Sequence, residues 1–219
     1  MTNPVKPTFK SEFLPILIII VIIALSVFFY PMLPEKVASH WNFKGEVDGW
    51  TSRNFSVIFL PALITGIYLL LTFLPNLDPK KENYLKFRNT YNIFKILIIS
   101  VLGIIYIASL LYNVGYNVNI AVITPLLIGV MFIVMGNYMG KLKFNWFVGI
   151  KNPWTLSSEN VWNKTHRLSG WLFIILGIIL IISPFLPEQL GMYLLIGGVF
   201  AVVIGSFAYS YYLYTKEKK

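Results

Sequence analysis

Cysteine is absent from the 219 residues, and histidine occurs only twice. Without cysteine there can be no disulfide, no thiolate nucleophile and no thiolate metal ligand. Charge is also scarce. Only 12% of the residues are Asp, Glu, Lys or Arg, against about 25% in an ordinary soluble domain. Six runs carry no charge in their interior: Phe13–Leu33, Phe55–Leu74, Ile96–Tyr112, Ile120–Met139, Leu168–Leu186 (after its polar start) and Met192–Tyr214. Charges inside a membrane usually mark ion or proton paths, so these runs predict neither an ion-coupled pump nor a proton relay. P-loop, HExxH and GxSxG sequences are missing, which removes the common nucleotide, zincin and serine-hydrolase signatures. No internal repeat supports an inverted-repeat transporter.

What remains is apolar: 57% of the chain is hydrophobic. Crossing the hydrocarbon core takes roughly 20 apolar residues, and a lipid-embedded backbone must satisfy its own polar groups, which a helix does. The fold expected is therefore all-α, a polytopic bundle of six transmembrane helices in the cell membrane. Val37-Ala38-Ser39 faintly resembles a signal-peptidase site, but the preceding run is long and Pro34 intervenes, so the first segment reads as a retained span.

The net charge of +9 is unevenly placed. With the N-terminus in the cytoplasm, 15 of the 18 Lys and Arg fall inside, and only Lys36, Lys44 and Arg53 fall outside. The positive-inside rule then puts both termini in the cytoplasm. The basic excess is a topology signal and an attraction to anionic lipid heads; it does not imply direct contact with nucleic acid.

Two loops concentrate polar and aromatic residues. The outer one, residues 34–54, holds His40, Trp41, Asn42, Asp48 and Trp50, with Gly45 and Gly49 for turns. Its bland reading is a compact loop with Trp41 and Trp50 at headgroup depth. His40, Glu46 and Asp48 match no zinc spacing, and neither a metal nor a cofactor is expected. The inner loop and the helix after it hold Asn137, Lys151, Asn152, Pro153, Trp154, Thr155, Glu159, Trp162, His166 and Arg167. Gly149 permits a bend, and Thr155, Ser157 and Ser158 offer N-cap hydroxyls with Glu159 at the positive helix end. Glu159, Trp162, His166 and Ser169 are expected on one face of that helix. Histidine there is more often a structural hydrogen-bonder than a catalyst, and no catalytic residue is assigned. Tyr84, Phe87 and Tyr91 read as an interfacial stripe anchoring the inner leaflet. Small residues, Gly129, Gly136 and Gly140 in the fourth span and Gly197, Ala201 and Gly205 in the sixth, predict close helix packing within one subunit or between two in a homo-oligomer.

The run GN-x-M-G at residues 136–140, followed by FVGIKNPWTLSSENVWNKTHRLSGWLF at 147–173, resembles the SdpI family of bacterial membrane proteins. LPEKVASHWNFKGEVDGW, residues 33–50, resembles DUF1648, a domain of unknown function often found ahead of an SdpI-type region. The resemblance implies a non-enzymatic membrane immunity protein giving resistance to a secreted, membrane-active peptide toxin. It also implies a signalling branch in which a cytoplasmic transcriptional repressor is held at the membrane. A toxin would meet the outer set, and a repressor only the inner loops and tail. Two other readings stay open on the residues alone: an enzyme acting on lipid or envelope intermediates, and a structural membrane protein. The organisation expected is a cytoplasmic lead at 1–12, a DUF1648-like region at 13–75, a linking loop and span at 76–118, and an SdpI-type region at 119–219.

Overall fold

The structure, a computed structural model, describes residues 4–218. Six helices form: α1 (Phe9–Phe29), α2 (Arg53–Leu77), α3 (Tyr84–Asn113), α4 (Ile120–Met139), α5 (Glu159–Ile182) and α6 (Glu188–Glu217). Each is long and apolar enough to cross a membrane. The protein is a multi-pass membrane protein of the all-α class. One element was not expected. The loop between α1 and α2 is a hairpin of β1 (Lys36–Trp41) and β2 (Val47–Ser52), paired antiparallel.

The chain divides into two compact units. The first comprises residues 7–72 and 95–127. Here α1 starts on a capping box, with the Thr8 hydroxyl accepting from the Ser11 amide and Ser11 returning a bond to the Thr8 amide. The unit's apolar core gathers Ile22, Leu33, Val37, Ile64, Ile99 and Leu110. Ser26 and Tyr106 share a hydrogen bond of 2.7 Å across it.

This unit also corrects the expectation of uncharged spans. Glu12 and Lys95 each precede an apolar run by one residue, but α1 and α3 begin earlier and carry both inside. Lys95 Nζ donates to Glu12 Oε1 and Oε2 at 2.7 and 2.9 Å. The carboxylate also accepts from the Ser11 hydroxyl at 2.7 Å and the Tyr68 hydroxyl at 2.9 Å. Four donor contacts satisfy a buried charge that would otherwise be very costly. The pair closes on itself and forms no chain of titratable groups across the unit.

The second unit comprises residues 4–6, 73–94 and 128–218. Its core corrects the stripe read as an interfacial anchor. Tyr84, Phe87 and Tyr91 are buried among Phe94, Met139, Leu142 and Trp162, with the Tyr84 ring tilted against Phe87 and edge-on to Tyr91. The 3-and-4 spacing is right for one helix face, but that face meets protein and not lipid. α3 is broken at Phe87 (φ −132, ψ 23), where the backbone leaves helical geometry.

Helices α4 and α5 approach through two reciprocal glycine pairs. A Cβ at Gly136 would lie 2.5 Å from the Gly170 carbonyl oxygen, and one at Gly129 would lie 2.6 Å from that of Gly177. Such distances exclude any side chain. Close packing at Gly129 and Gly136 thus holds, with α5 as the partner. The stripe expected in α6 has no such partner within this chain: a Cβ at Gly197 meets nothing within 4 Å, and one at Gly205 meets only the Leu172 side chain at 3.3 Å. Instead α6 packs on α5 through Leu176, Leu180 and Val202 and a Ser169–Ser206 hydrogen bond of 2.8 Å.

Candidate functional site

In the first unit the β1–β2 hairpin is a built platform. Its turn is organised by Asn42, whose Oδ1 accepts the amides of Lys44 and Glu46 and whose Nδ2 donates to Glu46 Oε2 at 2.9 Å. Gly45 takes φ +82 there, a conformation that suits glycine. At Gly49 a Cβ would lie 2.7 Å from that of His40, so glycine lets the two strands close. Across this point His40 Nδ1 and Asp48 Oδ1 pair at 2.5 Å, both well exposed. Glu46 is committed to Asn42, and among the described residues no group of three His, Asp or Glu converges.

The hairpin is fastened by a residue that sequence reasoning missed. Asn113, at the end of α3, accepts the Ala38 amide at 2.7 Å and donates to the Ala38 carbonyl at 3.0 Å. One side-chain amide thereby satisfies both backbone groups of Ala38, as a neighbouring strand would. Trp41 packs edge-on against Tyr112 with centroids 5.2 Å apart. Trp50 is left 60% exposed and Phe43, on the turn, 61%. Of the outer set, His40, Asp48 and Trp50 are open and Trp41 and Asn42 half-buried.

The inner set, in the second unit, does not converge. Asn152, Thr155, Trp162 and His166 are buried in one knot, whereas Asn137, Lys151, Pro153, Glu159 and Arg167 are exposed. Trp154 is half-buried against Tyr211 and Phe207. Trp162, His166 and Ser169 do share the buried face of α5, but Glu159 lies in the exposed first turn and is not on it. Ser158 supplies the N-cap, accepting the Val161 amide.

His166 is the centre of the knot. Its Nε2 accepts the Ile150 amide at 3.0 Å, so the other nitrogen carries the proton and donates to the Trp162 carbonyl at 2.8 Å. The ring stacks on Trp162 at 4.0 Å between centroids, and the Trp162 indole N–H donates to the Leu142 carbonyl at 3.0 Å. Gly149, at φ +116, lies against the imidazole, where a Cβ would collide with Nε2. Asn152 turns the loop by accepting the amides of Trp154 and Thr155, and its Nδ2 reaches the Ser210 hydroxyl at 2.9 Å. Thr155 completes the turn with a bond to the Ile150 carbonyl at 2.9 Å. Both imidazole nitrogens are engaged, which leaves neither free to exchange a proton with an outside molecule.

Two further residues were missed. Asp78 Oδ2 accepts the Trp146 amide at 2.9 Å and the Tyr84 hydroxyl at 3.0 Å. Asn145, wholly buried, accepts the amides of Phe147 and Val148 and donates to the carbonyls of Lys143 and Val148. Nothing in local spacing marks Asp78 or Asn145, because their partners lie on another segment or are backbone groups.

Residues 141–210 match the SdpI/YfhL protein family, and residues 17–65 match the domain of unknown function DUF1648. Immunity protein SdpI of Bacillus subtilis (strain 168) is 28% identical to this chain over 208 residues, covering 94% of this chain and 97% of that protein. No solved structure matches. The SdpI-type match spans the His166 knot from Lys141, beside Leu142, to Ser210, the partner of Asn152. The DUF1648 match runs from Leu17, within α1, through the hairpin to the first half of α2.

Proposed function

We propose that this protein is a membrane immunity protein that protects its producer against a secreted, membrane-active peptide. The observation that carries this reading is the end-to-end likeness to Immunity protein SdpI, which includes both regions and leaves little of either chain unmatched. With both termini cytoplasmic, as the lysine and arginine distribution favours, the hairpin faces the side from which a peptide arrives. Trp50 and Phe43 then offer apolar contact, while the His40–Asp48 pair offers polar contact. The Trp41 indole N–H is shielded and has no hydrogen-bond partner among the described residues. In this reading residues 13–75 recognise the peptide. The SdpI-type region, 119–219, carries the output to a cytoplasmic repressor, and Trp146, 51% exposed on an otherwise pinned loop, is its contact.

The reading is non-enzymatic, supported by the closed hydrogen-bonding of His166. Its test is survival of a peptide-sensitive bacterium expressing the chain, challenged with killing peptides of this type, at membrane levels checked by blotting. Wild-type protein should raise survival, and Trp41→Ala with Trp50→Ala should abolish the gain at equal expression. Unchanged sensitivity with the wild-type protein present in the membrane would sink the proposal. A retained gain in the double tryptophan variant would remove the hairpin as the contact.

A further inference from the structure

A second polar feature lies apart from both candidate sets. In the second unit a cleft of about 520 Å³ opens between the break in α3 and the residues that follow α4. Lys86, Arg88, Lys141 and Lys143 line it, and no acidic residue does. Four cations around one cleft repel one another unless an anion is present. Two of them are lightly held: Lys86 donates to the neutral Asn83 side chain at 2.8 Å, and Lys141 lies over the Tyr138 ring at 4.3 Å. None of the four forms a salt bridge among the described residues. Thr90, 4% exposed, also lines the cleft and adds a hydroxyl to the four cations.

The break at Phe87 explains how the cleft arises. An unbroken helix would distribute residues 85–90 around its axis. Departure from helical geometry at Phe87 buries that ring in the core and lets Lys86, Arg88 and Thr90 all line the same opening. On the other wall, Lys141 and Lys143 follow directly on Met139, the last residue of an apolar span. That position sets the cleft at the end of the hydrocarbon layer, where lipid headgroups lie.

We propose that this cleft is a binding site for the phosphate-bearing headgroup of an anionic phospholipid. Arg88, Lys141 and Lys143 surround the phosphate, and the Thr90 hydroxyl donates to one of its oxygens. Basic pockets at the ends of transmembrane helices recognise such headgroups through charge-assisted hydrogen bonds. The placement next to the end of α4 favours a lipid over a soluble phosphate, because the acyl chains can then lie along the apolar helix surface.

The test is native mass spectrometry of the purified full-length protein in neutral detergent. Phosphatidylglycerol is titrated against phosphatidylcholine of the same acyl chains. Wild-type protein should retain one phosphatidylglycerol with at least tenfold preference. Arg88→Gln with Lys143→Gln should weaken that binding roughly 10- to 30-fold, at about fivefold per removed cation. Lys141→Gln with Lys143→Gln removes two exposed side chains and serves if the arginine variant folds poorly. Lys216→Gln with Lys218→Gln, in the exposed tail, lowers the net charge equally and should bind as wild type does. Equal retention of the two lipids, or an equal loss in the tail variant, would overturn the proposal. Sodium phosphate forms the second arm: displacement of the lipid at equimolar phosphate would assign the cleft to a free oxyanion and overturn the lipid assignment.

Discussion

Lys95→Met is the most informative single perturbation of the fold. In the wild type Lys95 is 2% exposed and Glu12 8%, and the ammonium bonds both carboxylate oxygens. Removing Lys95 leaves the carboxylate buried with only the hydroxyls of Ser11 and Tyr68. Breaking a buried ion pair by deleting one partner costs about 3–5 kcal/mol. At roughly 2–4 °C per kcal/mol for a chain of this size, the melting temperature in detergent should fall by about 6–20 °C. Glu12→Gln should cost less, because the amide oxygen still accepts from Lys95 and Tyr68. The double variant, Glu12→Gln with Lys95→Met, removes both charges and should recover much of the loss, since a buried pair replaced by neutral groups is often close to neutral in stability. The measurement is a double-mutant cycle on thermal unfolding, and a coupling of about 2 kcal/mol or more is expected. A Lys95→Met loss below about 1 kcal/mol, or strict additivity in the double variant, would refute the reasoning that these two groups hold the first unit together.

Gly136→Leu should sharply reduce folded yield, because its Cβ would lie 2.5 Å from the Gly170 carbonyl oxygen, whereas Gly205→Leu should be tolerated with only the Leu172 side chain to move; equal yields for the two variants would contradict the glycine-pair packing. Asn113→Ala unpairs both backbone groups of Ala38, at roughly 1–3 kcal/mol each. Faster hydrogen exchange across β1 and β2, with α5 unchanged, is the expected readout. His166→Gln should lower stability modestly and leave peptide protection within about twofold at matched expression; a loss of about 100-fold or more would favour proton-transfer chemistry. Single cysteines at Lys44, Lys81, Lys151 and Lys218 should react with an impermeant reagent in intact cells at Lys44 alone, and labelling at Lys151 would invert the assignment of faces.

The amino-acid sequence by itself determined the class and the number of spans. Runs of about 20 apolar residues admit few structures in lipid other than helices, and their spacing is a local property. It also narrowed the N-cap to Thr155, Ser157 or Ser158 and marked the bend at Gly149 and the special character of the two loops, because these depend on neighbours within a few residues. Helix periodicity identified a face at Tyr84, Phe87 and Tyr91 and a close approach at Gly129 and Gly136, but periodicity names a face without naming what covers it. Only the tertiary structure decided that the first is a buried core and that the second meets Gly177 and Gly170. The same limit hid Glu12 and Lys95, which stand 83 residues apart in the chain; each looks like an ordinary flanking charge until its partner is known. Asn113 and Asp78 were silent for a related reason: each satisfies backbone groups on a distant segment, and a hydrogen bond to an amide leaves no pattern in side-chain identity. Only burial and long-range bonding gave His166 its particular structural role, since an imidazole whose two nitrogens bond Ile150 and Trp162 holds a loop in place and offers no free nitrogen to a substrate.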